Sequence, residues 1–135
     1  MTKRQSLIPL AAALLVAAAP VVGADVALLR AIERVESADN PAAVGDGGRA
    51  VGVLQIWTVT VDDANRILGR KAFTYADRMD RGKSESMFWV IVNHYSRGAS
   101  REVIARRWNG GPRGDRKAAT VAYWNKVERE LERKD

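Results

Sequence analysis

Apolar residues recur at helical spacing along the segment that follows Asp25. The positions concerned are Leu28, Leu29, Ile32 and Val35. Residues three or four places apart lie on one face of a helix, so this spacing predicts a helix with one buried side. An aspartate side chain can accept hydrogen bonds from the free N–H groups of the first turn. We therefore expect a helix that is capped by Asp25 and ends near Ser37.

The helical spacing fails between residues 38 and 52. Asn40-Pro41 and the glycine-rich stretch 45–48 consist of residue types that favour turns, and a valine stands on each side of that stretch. A sharply bending segment between two apolar residues is typical of a hairpin. The pattern predicts a short, irregular β-hairpin after the first helix.

Helical spacing then returns, with recognisable start and stop signals. Thr60 and Asp63 resemble a capping box, which predicts a second helix that ends near Gly69. Ser84 is the predicted cap of a third helix, which Gly98 terminates.

Two further helices are predicted in the last third of the chain. Ser100 begins one that stops at the Asn-Gly-Gly-Pro segment 109–112, and the other begins near Lys117. The apolar side of the last helix consists of Tyr123, Trp124, Val127 and Leu131. The predicted fold class is therefore mainly α, with one small β-hairpin in one domain.

The first 24 residues have the pattern of an export signal rather than of a folded element. Lys3 and Arg4 precede an apolar run, and the small residues Val22-Gly23-Ala24 suit a signal peptidase. We expect cleavage after Ala24, a mature domain from 25 to 135, and a periplasmic or extracellular location. The alternative is an uncleaved anchor, but the apolar run is short for a bilayer span.

The amino-acid composition excludes several kinds of functional site. The chain of 135 residues has no cysteine and one histidine, which excludes disulfides, thiol nucleophiles and multi-histidine metal sites. We expect no metal and no other cofactor. The single histidine, His94, has no partner motif and is interpreted as structural or exposed.

The charge balance points to an anionic polymer as the partner. The formal net charge is +6, and it falls to +4 when the leader, with two basic and no acidic residues, is removed. A basic exported protein suits an anionic partner such as the cell wall, a nucleic acid or a lipid surface. Arginines alternate with acids, as in Glu128-Arg129-Glu130, so a nucleic-acid-binding stripe is not expected.

Glu36 is the residue most suggestive of catalysis. When residues are placed about 100° apart, Glu36 falls within the apolar arc of the first helix, and Glu33 falls at its edge. A carboxyl group that is partly buried at the end of a helix has a raised pKa, as a general acid requires. The alternative is that Glu36 forms an ion pair with Arg49 or another arginine and does no chemistry.

Two groups of motifs resemble known families. The first comprises Glu36-Ser37, Asn40-Pro41-Ala42 and the Gly-Val-Leu-Gln-Ile segment 52–56. The second comprises the segment 104–114, which contains Trp-Asn-Gly-Gly-Pro, and the segment 119–127, which contains Tyr-Trp-Asn-Lys-Val. In this order they resemble the lysozyme-like superfamily, specifically invertebrate-type (destabilase) lysozymes and the soluble lytic transglycosylase (SLT) domain. The resemblance implies an α+β lysozyme-like fold with the hairpin after the catalytic helix.

The resemblance also implies an activity. The implied activity is that of a muramidase that cleaves peptidoglycan. In such an enzyme Glu36 would protonate the oxygen atom of the β-1,4 bond between N-acetylmuramic acid and N-acetylglucosamine. Asp46 is the implied second carboxylate, although aspartate before glycine is also a common turn residue. Two alternatives remain open, namely a lytic transglycosylase that leaves 1,6-anhydro-muramic ends and a non-catalytic protein that binds the cell wall. The expected partner is the peptidoglycan glycan strand, bound by a monomer without nucleic acid or stable membrane insertion.

The resemblance assigns further residues to substrate binding. They are Ser37, Gln55, Trp108, Asn109, Gly110 and Tyr123. Ordinary structural roles remain open for three of them: Gln55 as a surface amide, Trp108 as a core residue and Tyr123 as a packing residue.

Overall fold

The computed structural model describes residues 25–134, so the predicted signal peptide lies outside the described residues. The first helix, α1 (Val26–Ser37), has the predicted bounds. The Asp25 carboxylate accepts the N–H of Leu28 at 3.1 Å, and the apolar face is buried. The predictions for this helix and its cap are therefore confirmed.

The predicted hairpin also forms. Strands β1 (Val44–Gly45) and β2 (Ala50–Val51) pair antiparallel across a 3₁₀ turn at 46–48. Gly52 follows with a φ of +86°, and a Cβ atom there would lie 1.8 Å from the carbonyl oxygen of Arg78. Only glycine combines this backbone conformation with so close an approach.

The predicted starts of the second and third helices are wrong. Helix α2 (Thr58–Leu68) begins two residues before Thr60 and has no side-chain cap, although it ends at Gly69 as predicted. Helix α3 (Arg81–Tyr95) is capped by Asp80, whose carboxylate accepts the N–H of Lys83 at 2.8 Å. Ser84 lies inside α3, because its buried hydroxyl donates to a backbone carbonyl instead of capping the helix.

Of the last two helices, the first begins where the sequence predicts and the second begins later. Helix α4 (Arg101–Gly110) is capped by Ser100 as predicted. Helix α5 (Val121–Glu132) begins four residues later than expected, because two 3₁₀ turns occupy 114–116 and 118–120. The buried hydroxyl of Thr120 donates to the carbonyl of Gly114 at 2.6 Å and stabilises these turns.

The described chain is mainly helical with a small two-stranded antiparallel sheet, which confirms the predicted fold class. Helix α5 packs on α1 and α4, and α2 packs on α3. The buried core draws on all of these elements, and its larger side chains are Leu28, Ile32, Leu54, Ile56, Val61, Met87, Phe88 and Val127. No helix between residues 25 and 134 is long and apolar enough to cross a membrane.

Candidate active site

A cleft of about 1050 Å³ lies next to the end of α1. Its walls come from the hairpin, the first turns of α2, the end of α3 and the last turns of α4. Of the predicted site residues, the cleft is lined by Glu36, Asp46, Gln55, Trp108 and Asn109. The fold therefore brings together in one cavity residues that are far apart in the sequence.

Glu36 lies in the last turn of α1 and is half-buried. Its Oε1 accepts a hydrogen bond from the Tyr123 hydroxyl at 2.8 Å. The pKa of Glu36 is raised to about 7, chiefly by burial. The Tyr123 hydrogen bond opposes this rise, the negative charge of Asp46 adds to it, and Trp108 lowers the pKa slightly. A carboxyl group with this pKa still carries a proton in a large fraction of molecules at neutral pH.

Arg49, which the sequence offered as an ion-pair partner for Glu36, is engaged elsewhere. Its guanidinium group donates to the backbone carbonyl of Asp46 at 2.9 Å and lies 4.9 Å from the centre of the Trp57 ring. Arg49 thus links the hairpin turn to the start of α2.

Asp46 occupies the turn of the hairpin, where its φ is +50°. It is exposed and lines the cleft, near enough for its charge to act on Glu36. Left-handed backbone is tolerated by aspartate better than by most residues. Asp46 is therefore both a turn residue and a cleft residue.

Gln55 braces the hairpin from within the cleft wall. Its amide nitrogen donates to the carbonyls of Ala43 at 3.2 Å and Gly52 at 3.0 Å. Its Oε1 lies 2.5 Å from the position that a Cβ atom would take at Gly45. Glycine at position 45 therefore leaves room for this side chain.

Trp108 and Asn109 lie at the end of α4. Trp108 packs edge-to-face on Phe88, with ring centres 4.9 Å apart, and also faces the cleft. The core and cleft interpretations of Trp108 therefore both apply. Asn109 is exposed at the cleft, where its amide is free of core packing.

Three predicted binding residues stand outside the lining of the cleft: Ser37, Gly110 and Tyr123. The hydroxyl of Ser37 donates to the carbonyl of Val53 at 2.8 Å and joins α1 to the segment after the hairpin. At Gly110 a Cβ atom would lie 2.5 Å from the Thr120 side chain, so glycine permits close packing. Tyr123 contacts Glu36 through its hydroxyl, which donates to Oε1.

Sequence reasoning missed several residues of the cleft. Trp57, with 39% of its surface exposed, lines the cleft directly after the Gly-Val-Leu-Gln-Ile segment. At the α2 and α3 wall, the Tyr95 hydroxyl donates to Asp63 at 2.7 Å and accepts from Arg66 at 3.0 Å. An aromatic residue at the end of an apolar run was an available signal for Trp57. Asp63 is predicted only as part of a capping box, and no motif in the sequence marks Tyr95 as a cleft residue.

Within residues 25–134, no group of three or more histidine, cysteine or acidic side chains is placed to hold a metal ion.

Comparison with known proteins yields a short match. No protein-family model matches the chain. A stretch of 26 residues, 19% of the chain, is 58% identical to "Invertebrate-type lysozyme 6" of Caenorhabditis elegans. The match spans 19% of that lysozyme as well, so the chain covers about a fifth of its length. The chain is thus partly similar to an invertebrate-type lysozyme, which supports a lysozyme-like relationship.

Proposed function

We propose that this protein is a muramidase that cleaves the β-1,4 bond between N-acetylmuramic acid and N-acetylglucosamine in peptidoglycan. The observation that carries the proposal is the Glu36 carboxyl group, which combines a pKa of about 7, a Tyr123 hydrogen bond and a position in the wall of a large cleft. The partial similarity to an invertebrate-type lysozyme points to the same chemistry.

Glu36 is the general acid of the proposed reaction. Because Oε1 accepts from Tyr123, the transferable proton resides on Oε2. It passes to the glycosidic oxygen as the bond between that oxygen and the anomeric carbon breaks. If Asp46 acts as a nucleophile, the ionised Glu36 then takes a proton from the water molecule that adds to the sugar, which restores the starting state. If Asp46 instead activates the water molecule, Asp46 takes that proton, and the two carboxyl groups return to their starting states by proton exchange with solvent.

Asp46 is the proposed partner that compensates the positive charge at the anomeric carbon. Asp46 lies in the cleft wall contributed by the hairpin, and its negative charge raises the pKa of Glu36. A glycosidase with two carboxylates uses the second one either as a nucleophile or as a base that activates water. Both routes yield products with ordinary reducing ends.

The remaining cleft residues suit a sugar polymer. The exposed ring of Trp57 offers an apolar surface for the C–H face of a sugar, and Asn109 offers an amide for its hydroxyl and acetamido groups. A cleft of this volume accommodates several sugar rings, as a glycan strand requires.

A lytic transglycosylase is the second candidate function, because Asp46 is an exposed turn residue that asparagine could replace without strain. In that reaction Glu36 acts first as acid and then as base, and the muramic 6-hydroxyl attacks in place of water. The product ends are then 1,6-anhydro and one water lighter.

Glu36→Gln tests the proposal in the purified protein. Glutamine keeps the shape and accepts the Tyr123 hydrogen bond but has no transferable proton, so the clearing of a cell-wall suspension should fall about a hundredfold or more. Glu128→Gln, an exposed change on α5, is the matched control and should leave activity unchanged. Equal activity of wild type and Glu36→Gln would end the proposal, and wall binding without cleavage by the wild type would favour the non-catalytic alternative.

Asp46→Asn separates the two chemistries. For the muramidase, hydrolysis should drop roughly a hundredfold, because a compensating charge is lost at the transition state. The measurement is mass spectrometry of the released fragments together with the rate. Anhydro ends combined with an unimpaired Asp46→Asn would replace the muramidase by the transglycosylase.

A further inference from the structure

Glu33, one turn before Glu36 on α1, is a buried acid that the proposed reaction does not use. Its side chain is 0% exposed. Its Oε2 accepts hydrogen bonds from Arg30 at 2.8 Å and Arg81 at 2.9 Å, while its Oε1 is buried without a partner among the described residues. Burying a carboxyl group with one oxygen unpaired costs stability, so a compensating role for Glu33 has to be sought in the contacts of its other oxygen.

Arg81, at the start of α3, holds the chain on both sides of Glu36. Its Nη1 contacts Oε2 of Glu33 at 2.9 Å and Oδ1 of Asp39 at 2.8 Å. Its Nη2 donates to the backbone carbonyl of Asp39 at 3.2 Å. Glu33 and Asp39 lie three residues before and three residues after Glu36, so a single guanidinium group spans the turn that carries the carboxyl group.

The backbone that Arg81 holds is strained. Ala38 and Asp39 have φ values of +52° and +64°, in the left-handed region that non-glycine residues avoid. The carbonyl of Glu33 accepts from the N–H of Asp39 at 3.3 Å, which closes the turn after α1. A conformation of this kind persists only where surrounding contacts hold it in place.

We propose that Arg81, anchored on the buried carboxyl group of Glu33, is a positioning residue that fixes the last turn of α1 and thereby holds Glu36 in its half-buried place. The contacts of Arg81 with Glu33 and Asp39 are what we call the Arg81 clamp. The effect of the clamp on catalysis rests on the proposed function, whereas its effect on the Glu36 carboxyl group does not.

The charges around Glu33 come from two helices and the turn after α1. Arg30 lies on α1, Arg81 and Glu85 lie on α3, and Asp39 binds the far side of Arg81. Burial raises the pKa of Glu33, and Glu85 raises it further, against the effect of Arg30. These ion pairs join α1 to α3 beside the hydrophobic core that the two helices share.

The test is a titration of the Glu36 carboxyl carbon by NMR in Arg81→Ala, Arg81→Lys and Lys83→Ala. Without the clamp the turn relaxes and the carboxyl group reaches water, so in Arg81→Ala its pKa should fall by about one unit towards the ordinary value. Arg81→Lys, which keeps one contact but cannot make all three, should give a smaller fall. Lys83→Ala removes an exposed ion pair with Asp77 from the same turn of α3 and should change nothing.

Wall cleavage supplies the second readout. In Arg81→Ala, kcat should fall about tenfold with KM nearly unchanged, because a displaced acid impairs turnover rather than binding. A shifted Glu36 pKa in a protein that cleaves no wall would uphold the clamp and reject the muramidase. An identical Glu36 pKa in Arg81→Ala and Lys83→Ala would overturn the clamp. If Arg81→Ala does not fold, an unshifted pKa in Arg81→Lys has the same meaning.

Discussion

The Tyr123 hydroxyl group and the surrounding burial act on Glu36 in opposite directions. Burial disfavours the ionised carboxylate and raises the pKa, while the hydroxyl donates to Oε1 and favours the ionised form. The balance leaves the pKa at about 7. A general acid with a pKa of about 7 is mostly protonated below pH 7 and loses its proton as the pH rises above 7. Wall cleavage should therefore decline above about pH 7.

Tyr123→Phe should move that alkaline decline to higher pH. The change removes the hydrogen bond that lowers the pKa of Glu36, and a bond worth about 1 kcal/mol corresponds to somewhat less than one pH unit. The measurement is the pH profile of kcat/KM on cell walls. Tyr75→Phe, which removes an exposed hydroxyl bonded to Asp62, should leave the profile in place. A decline that moves to lower pH in Tyr123→Phe would contradict this account of Glu36.

At the scale of elements, the hairpin is held by contacts that reach beyond its own two strands. The N–H of Gly52 donates to the carbonyl of Ala43 at 2.8 Å, while its α-carbon packs against the carbonyl of Arg78. Arg78 in turn donates to the carbonyls of Arg49 and Ile56 at 3.2 and 3.1 Å. The hairpin that carries Asp46 is thus fixed by the segment before α3.

Gly52→Ala should therefore destabilise the protein strongly, by roughly 2–4 kcal/mol, because a Cβ atom cannot fit beside the Arg78 carbonyl. Gly98→Ala is the control, since Gly98 has a φ of +73° but a Cβ atom there would meet nothing within 4 Å. Gly98→Ala should lower the free energy of unfolding by only about 1 kcal/mol, because alanine disfavours the left-handed backbone. Urea unfolding monitored by tryptophan fluorescence measures the free energy of unfolding of both variants. Equal losses in the two variants would show that the close approach at Gly52 is unimportant.

At the scale of the whole molecule, the buried acids make stability depend on pH. Glu36 and Glu33 bind protons more firmly in the folded protein than in the unfolded chain, because burial raises the pKa of each. Their stabilising effect is fully present below about pH 4.5, the ordinary value for glutamate, and is lost as the pH rises through about 7. The free energy of unfolding should therefore decrease between these two pH values.

Glu36→Gln should remove much of this decrease. The variant should match the wild type near pH 4 and exceed its free energy of unfolding at pH 8 by on the order of 1–3 kcal/mol, since glutamine is never ionised. Denaturant unfolding at the two pH values measures the difference. A variant that is less stable than the wild type at pH 8 would mean that the Glu36 carboxylate is well accommodated in the folded protein, against a raised pKa.

The sequence by itself determined the features that depend on neighbours along the chain. The spacing of Leu28, Ile32 and Val35 and the Asp25 cap specify α1, and the same spacing turns Glu36 towards the interior. The turn residues at 45–48 specify the hairpin, because few other residue types adopt its backbone conformations. These properties follow from 3.6 residues per helical turn and from local sterics.

Only the tertiary structure decided how the site is assembled. Tyr123 lies 87 positions from Glu36 and reaches it because α5 packs on α1. The pairing of Glu33 with Arg81 and the exposure of Trp57 in the cleft depend on packing in the same way. The wrong start predicted for α3 also reflects packing, since the buried hydroxyl of Ser84 donates to a backbone carbonyl and Asp80 caps the helix instead. Long-range packing sets burial and proximity, and these in turn set the pKa of a carboxyl group that local spacing could only suggest.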